Sequence, residues 1–214
     1  RSLVLGVGIA SIIALSVFAW RQWKKDRPLI DYRGLFQWRY LLGIALYFFG
    51  YFMAGTTGFL LPILFSEGLG LSLTTTALVL SFSLFGSVAA ALLHAAAASR
   101  RPRPRRFMLA GLLLYAIACL GFSQAGRLSD WHLLLLPALV CGIAIPCFIG
   151  PVAFGTFVEL PPKVFSHGYQ VKNIVRQLGI SSSIALSTVA LQFFYARRLA
   201  VLPEGFHPDW AQAL

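Results

Sequence analysis

Six long apolar segments make up most of this chain of 214 residues and are separated by short polar or basic stretches. They lie near residues 3–20, 40–65, 72–98, 107–124, 132–158 and 173–195. A helix needs about 20 residues to cross the hydrocarbon core of a bilayer, which is close to the length of each segment. Only a helix satisfies its own backbone in lipid, and the segments lack the alternation of barrel strands. The sequence therefore predicts an all-α, polytopic membrane protein with about six transmembrane helices.

The composition supports a membrane protein and argues against other classes. Hydrophobic residues make up 58% of the chain, charged residues make up 12%, and the mean hydropathy is +0.76. The net charge of +11 does not indicate nucleic-acid binding, because the basic residues stand between apolar runs and do not interleave with aromatic ones. The enzyme motifs HExxH and GxSxG are absent, and the three cysteines lie inside apolar runs without ligand spacing. We therefore expect no enzyme, no metal site and no cofactor.

The loop of residues 99–106 contains five arginines and no acidic residue. Lys and Arg near the ends of membrane spans mark the cytoplasmic side. Placing this loop in the cytoplasm brings most of the 18 Lys and Arg residues to the same side, although the pair Arg197–Arg198 disagrees. We expect a multi-pass protein of the cell inner membrane, with its topology anchored by Arg100, Arg101, Arg103, Arg105 and Arg106.

The second apolar segment is the most aromatic one. Tyr47 and Tyr51 are one helical turn apart and share a face with Gly55 or Gly58. Such a face can line a substrate cavity, and aromatic faces attract cations. The alternative is that these residues serve helix packing or lipid contact. The candidate substrate-cavity residues are Tyr47, Phe48, Tyr51, Phe52, Gly55 and Gly58.

Proline residues predict irregular helices in two of the segments. Proline removes an intrahelical hydrogen bond and its ring clashes with the preceding turn. Pro62 is therefore expected to kink the second segment. Pro137, Pro146 and Pro151 predict a bent or locally unwound helix in the fifth segment.

Three polar residues stand at the start of the sixth segment. Lys172 and Arg176 are four residues apart, and Asn173 and Arg176 are three apart, so all three can share one helix face near the cytoplasmic mouth. A buried arginine in lipid needs carbonyls, carboxylates or water, and Glu159 in the preceding loop is the candidate partner. We expect these four residues to form a cytoplasmic gate. The alternative is that Arg176 snorkels to the interface as a topology anchor.

Two stretches carry a resemblance to a known family. Residues 28–36 read PLIDYRGLF and precede the aromatic segment, and residues 173–179 read NIVRQLG. They resemble the linker region and the thirteenth helix of the fourteen-helix drug:proton antiporters, the multidrug efflux permeases of the major facilitator superfamily, and the likeness extends over the whole chain. It implies a linker transmembrane helix and a cytoplasmic interfacial segment over 1–39. Five helices of the carboxy-terminal transporter half would follow over 40–195, and an extracytoplasmic tail over 196–214 would lead to a missing last helix.

The resemblance also implies a function. Such a transporter half works with an amino-terminal half, here missing, by alternating access about a central cavity. It exports hydrophobic or cationic compounds against an inward proton flux, with the proton gradient as the energy source. Its partners would be the lipid bilayer, the small-molecule substrate, the amino-terminal half and, as a further option, a periplasmic adaptor protein. The sequence leaves open a non-transporting membrane scaffold or a truncated remnant.

All seven acidic residues lie in loops or at the ends of the apolar segments. Proton coupling usually needs an ionisable group within the membrane. We therefore expect the coupling acid to lie outside this chain, in the amino-terminal half. The acidic residues concerned are Asp26, Asp31, Glu67, Asp130, Glu159, Glu204 and Asp209.

Overall fold

A computed structural model describes residues 2–24, 35–100, 104–126, 130–158 and 160–199, and these residues form helices joined by short connections. One π-helical turn, Leu64–Gly68, extends the second helix, and two 3-10 turns, Trp131–Leu134 and Pro162–Val164, precede the last two helices. No strand occurs in the described ranges, so the all-α prediction is confirmed. The helices are α1 Ser2–Lys24, α2 Trp38–Ile63, α3 Leu73–Arg100, α4 Pro104–Ser123, α5 Leu135–Gly155 and α6 Phe165–Leu199.

Five helical stretches of the described chain are long and apolar enough to cross a membrane. In α1 the apolar run is shorter, over Ile9–Phe18. Many large apolar side chains point away from the protein interior, as lipid-facing residues do; Phe85, for example, is 76% exposed. The polytopic membrane class is therefore confirmed. The five stretches are Trp38–Gly68, Leu73–Ala96, Pro104–Ser123, Trp131–Gly155 and Pro162–Arg198.

Helix α5 is the centre of the packing. Both α3 and α4 pack extensively against it, while α2 packs mainly against α6 and to a lesser extent against α5. The bundle contains three buried apolar clusters. The first lies where α2 and α6 begin and consists of Leu35, Tyr40, Leu160 and Val164. The second consists of Tyr47, Phe148 and Val152. The third lies at the π-helical turn and consists of Leu61, Phe65, Val79, Leu134 and Ala138.

We call the end at which α2, α4 and α6 begin the basic end, because Arg105 and Arg106 lie there in the first turn of α4. Tyr40 ties α2 to α6 at this end by donating a buried hydrogen bond of 2.9 Å to the carbonyl of Gly168. Removing one partner of a buried hydrogen bond leaves the other unsatisfied, so this bond helps to hold the two helix starts together.

Helix α5 is a continuous α-helix from Leu135 to Gly155, so local unwinding of the fifth segment is wrong, whereas a bend in it stays a prediction. Pro137 lies in its first turn, where a backbone N–H would have no intrahelical partner. Pro146 and Pro151 lie inside the helix, and membrane helices tolerate such prolines where neighbouring groups satisfy the freed carbonyls. In α2 the α-helical geometry ends one residue after Pro62 and passes into the π-helical turn.

Parts of the predicted domain layout lie outside the described residues. The interfacial segment falls largely on residues 25–34, and the tail falls largely on residues 200–214. Residues 196–199, which the sequence assigned to the tail, continue α6 as helix.

Candidate functional site

Two glycines bring α2 and α6 into close contact. A Cβ atom on Gly179 would lie 2.9 Å from the carbonyl oxygen of Phe48, a distance that real side chains do not adopt. A Cβ atom on Gly55 would overlap the hydroxyl of Ser183, which is itself fully buried. Small residues allow membrane helices to approach in this way. The contact places the early turns of α6 over the tyrosine face of α2.

Lys172 of α6 lies among three aromatic rings, which we call the aromatic cage: Tyr47, Phe157 and Tyr169. The Nζ atom is 5.0 Å from the ring centroid of Tyr169, 5.1 Å from that of Tyr47 and 5.3 Å from that of Phe157. A cation within about 6 Å of a ring face is attracted by the ring quadrupole. The three rings come from α6, α2 and the connection between α5 and α6, so the ammonium group joins three elements.

Arg176 stands one helical turn further along α6, above the next tyrosine of α2. Its guanidinium carbon is 5.8 Å from the ring centroid of Tyr51, and the ring centroids of Tyr51 and Tyr47 are 4.7 Å apart. The Nε atom of Arg176 is buried and has no hydrogen-bond partner among the residues that the structure describes. Two cations of a membrane-spanning helix therefore rest on two adjacent tyrosine rings.

The other predicted site residues take different positions. Phe48 and Phe52 are half-buried, with ring centroids 6.2 Å apart, and their backbone contributes to the seam between α2 and α6. Asn173 is exposed, whereas Lys172 and Arg176 are half-buried. Glu159, the expected partner of Arg176, lies outside the described residues.

The arginines of the basic loop are described only in part. Arg100 is the last residue of α3, and Arg105 and Arg106 are exposed in the first turn of α4. Arg101 and Arg103 lie outside the described residues. The two exposed arginines stand at a helix end, which is where topology anchors are found in membrane proteins.

Gly58 lines a cavity of about 310 Å³ between α2, α3 and α5. A Cβ atom on Gly58 would meet nothing within 4 Å, so this glycine faces open space, unlike Gly55. The walls are mainly aliphatic, and Ser83 and Ser87 of α3 are the serines among the lining residues. A mainly apolar cavity with a few placed polar groups is typical of small-molecule sites.

A second cavity of about 420 Å³ lies on the other side of α2, between α2, α4, α5 and α6. One wall carries a hydrogen bond of 3.0 Å between the hydroxyls of Thr57 and Tyr115. The thiols of Cys119 and Cys141 contribute to the same wall. This cavity involves none of the predicted site residues.

The cage residues Tyr169 and Phe157 and the cavity serines of α3 were not predicted from the sequence. Tyr169 precedes Lys172 by three residues, a spacing that places the two side chains on one helix face and could have revealed this pair. Phe157 lies in a connection and has no periodic signal. The hydroxyls of Ser83 and Ser87 belong to a segment so rich in small residues that sequence alone did not distinguish packing from lining.

Acidic groups are far from the aromatic cage in the described part of the chain. The two acidic residues described, Glu67 and Asp130, are exposed at the end opposite the basic end. Asp130 accepts a hydrogen bond of 3.2 Å from the backbone N–H of His132 and so caps the 3-10 turn before α5. No group of three or more His, Cys, Asp or Glu side chains that could hold a metal ion occurs within the described ranges.

Comparisons with known proteins agree with this architecture. Lincomycin resistance protein LmrB of Listeria innocua is 26% identical over 184 residues, which cover 83% of this chain and 38% of that protein. The Serratia proteamaculans protein MdtD, named for multidrug resistance, is 23% identical over 205 residues, which cover 95% of this chain and 43% of that protein. The chain thus spans about two fifths of the length of these curated relatives. No solved structure matches it.

The family model described as Major Facilitator Superfamily matches residues 3–184, which is most of the chain. The matched region contains the first four membrane-spanning stretches completely and the fifth stretch as far as the middle of α6. The resemblance inferred from residues 28–36 and 173–179 is confirmed at the level of the superfamily. This chain belongs to the major facilitator superfamily.

Proposed function

We propose that this chain is part of a secondary active transporter that exports hydrophobic or cationic drugs in exchange for protons. Membership of the major facilitator superfamily supports transport rather than catalysis. The drug class is supported by the names of the relatives, which refer to lincomycin resistance and to multidrug resistance. The rival assignment is a non-transporting membrane scaffold or a truncated remnant.

The cavity beside Gly58 is the observation that carries the proposal. Its volume of about 310 Å³ is at the lower end of the range of drug-sized sites, about 300–1,000 Å³. Its walls contain no charged side chain, and Ser83 and Ser87 of α3 lie among the lining residues. Such a surface suits flat, apolar compounds, because their burial is favourable without matched hydrogen bonds at every atom.

The seam between α2 and α6 supports the cationic part of the proposal. Tyr47 and Tyr51 present ring faces to positive groups, which in this conformation belong to Lys172 and Arg176. Polar and charged groups inside membrane spans usually mark a substrate or ion pathway. We assign Lys172, Asn173 and Arg176 to a gate at the basic end, which the positive-inside rule places in the cytoplasm.

Transport of this kind needs a second half of the transporter. Alternating access is a rocking motion of one helix bundle against another about a shared site. The relatives are more than twice as long as their matched parts, so we propose that an amino-terminal half completes the transporter in the cell inner membrane. A periplasmic adaptor protein belongs to the same proposal as a further partner.

Ethidium efflux tests the proposed function. Cells that express the complete reading frame should lose preloaded ethidium faster than cells with an empty vector. A protonophore should abolish the difference, because proton exchange then has no driving force. The measurement is the initial rate of fluorescence decrease, with the amount of protein in the membrane determined in parallel. Equal rates with and without the protein at a demonstrated membrane level would favour the scaffold.

Neutralising the acidic residues of this chain should leave proton coupling intact. Glu67→Gln and Asp130→Asn change exposed groups, and such substitutions rarely change the free energy of unfolding by more than about 0.5 kcal/mol, so both variants should fold and keep proton-driven efflux close to the wild-type rate. Glu159→Gln changes a candidate gate residue but should also keep proton uptake. Proton uptake during efflux, followed with a pH-sensitive dye in vesicles, provides the measurement. Loss of uptake in any of these variants, with folding intact, would place the coupling acid in this chain.

A further inference from the structure

The aromatic cage holds its lysine in an unusual way. The ammonium group of Lys172 lies 5.0–5.3 Å from three ring centroids, close enough for all three rings to attract it. The guanidinium group of Arg176, one turn away on the same helix, carries the same charge and repels it. The geometry of the cage therefore suits a cation, even with a second positive group one turn away.

A primary ammonium is not the cation that suits such a cage best. It is compact and strongly hydrated, and its three N–H groups find no acceptor on ring faces. A quaternary ammonium or phosphonium cation has no N–H group, spreads its charge over a larger apolar surface and gives up its hydration more readily. Aromatic cages are the usual means by which proteins recognise such cations.

The cage is also accessible. Tyr47 is 4% exposed and forms its inner wall, whereas Tyr169 is 50% exposed and forms its outer wall. Lys172 has a flexible four-carbon stem, and it lies about two turns from the start of α6, at the basic end. Its side chain can therefore swing outward while the rings stay in place.

We propose that the aromatic cage is a binding site for quaternary ammonium or phosphonium cations and that Lys172 is its tethered occupant, which an arriving cation must displace. The lysine thereby lowers the apparent affinity of the site, because only the fraction of molecules with an empty cage can bind. This inference deepens the proposed drug export by naming a cation site and its built-in competitor. Its test measures binding and not transport, so the two proposals can fail separately.

Binding of radiolabelled tetramethylammonium, whose size matches the 5.0–5.3 Å between the cation and the ring centroids, to the purified protein from its complete reading frame tests the competition. Lys172→Gln should tighten binding about tenfold, which is the change expected if the lysine fills the cage nine-tenths of the time. The double variant Lys172→Gln/Tyr169→Leu, which opens one wall, should lose most of that gain. A Lys172→Gln variant that binds no tighter than the wild type would overturn the proposal.

The double variant separates cage occupancy from simple charge repulsion. Removing Lys172 also removes a positive charge, and that alone would favour any cation nearby. If the double variant binds as tightly as Lys172→Gln, the gain comes from lost repulsion and the cage proposal is wrong.

A labelling measurement on the wild-type protein avoids any effect of substitution on folding. An amine-reactive reagent, read out by mass spectrometry, should modify Lys172 faster when tetramethylammonium is bound, because the displaced ammonium enters solvent. Lys163 is exposed at the same end and serves as the internal reference. An unchanged ratio of Lys172 to Lys163 labelling at saturating tetramethylammonium would contradict displacement.

Discussion

Replacing Arg176 with alanine is expected to lower the rate of ethidium efflux about tenfold or more at an equal amount of protein in the membrane. Arg176 is a half-buried cation of a membrane-spanning helix, its guanidinium lies over Tyr51, and its Nε is buried without a partner among the described residues. Placing a charged group inside a membrane span costs free energy, and such groups usually mark a functional site of a transporter. A cation–π contact shielded from water contributes about 2 kcal/mol, and about 1.4 kcal/mol already corresponds to tenfold.

Two further variants show whether the effect belongs to this position. Arg197→Ala removes an exposed arginine from the last turn of the same helix and should leave efflux unchanged. Arg176→Lys keeps the charge but loses the planar fork and should give an intermediate rate. Wild-type efflux by Arg176→Ala at a matched membrane level would show that Arg176 is only a topology anchor.

Replacing Gly142 with alanine is expected to destabilise the bundle more than any other single methyl addition discussed above. A Cβ atom on Gly142 would overlap the carbonyl oxygen of Ser83 and lie 2.7 Å from its carbonyl carbon. In the same seam, a Cβ atom on Gly86 would lie 2.7 Å from the carbonyl oxygen of Leu139. Backbone atoms cannot rotate away, so α3 and α5 must move apart at a cost of about 1–3 kcal/mol or more.

The midpoint of thermal unfolding in detergent measures this loss. Because 1 kcal/mol shifts the midpoint of a chain of about 200 residues by about 2–4 °C, Gly142→Ala should lower it by about 2–12 °C. Gly58→Ala is the matched control, since no atom lies within 4 Å of the added methyl group and alanine favours the helix. A similar decrease in both variants, or none in Gly142→Ala, would contradict the packing between α3 and α5.

Much of the fold was predictable from local properties. The apolar segments are long enough to span a bilayer, and in lipid a helix is the one way for such a segment to satisfy its backbone, so element type and class followed directly. The continuous α5 shows the limit of local reasoning. Proline predicts disruption in isolation, but Pro137 fell in a first turn and Pro146 and Pro151 were accommodated inside the packed bundle.

The sequence predicted which candidate site residues share a helix face, but it did not predict how the faces are arranged in the bundle. The spacing of Tyr47 and Tyr51, and of Lys172 and Arg176, indicated which side chains share a face on α2 and on α6. It did not indicate that the two faces meet. The spacing also gave Gly55 and Gly58 the same role, although Gly55 lies in a helix contact and Gly58 lines a cavity.

The sequence by itself determined the membrane class, the helical type of the apolar segments and the family, because these depend on segment length, hydropathy and short motifs. Only the tertiary structure decided that Lys172 occupies a cage formed with Phe157, Tyr169 and Tyr47. The physical reason is that this cage depends on how closely α2 and α6 approach. The two helices can approach because Gly55 and Gly179 have no side chain at their contact. These glycines are more than 120 positions apart in the chain, so local sequence patterns do not reveal the contact.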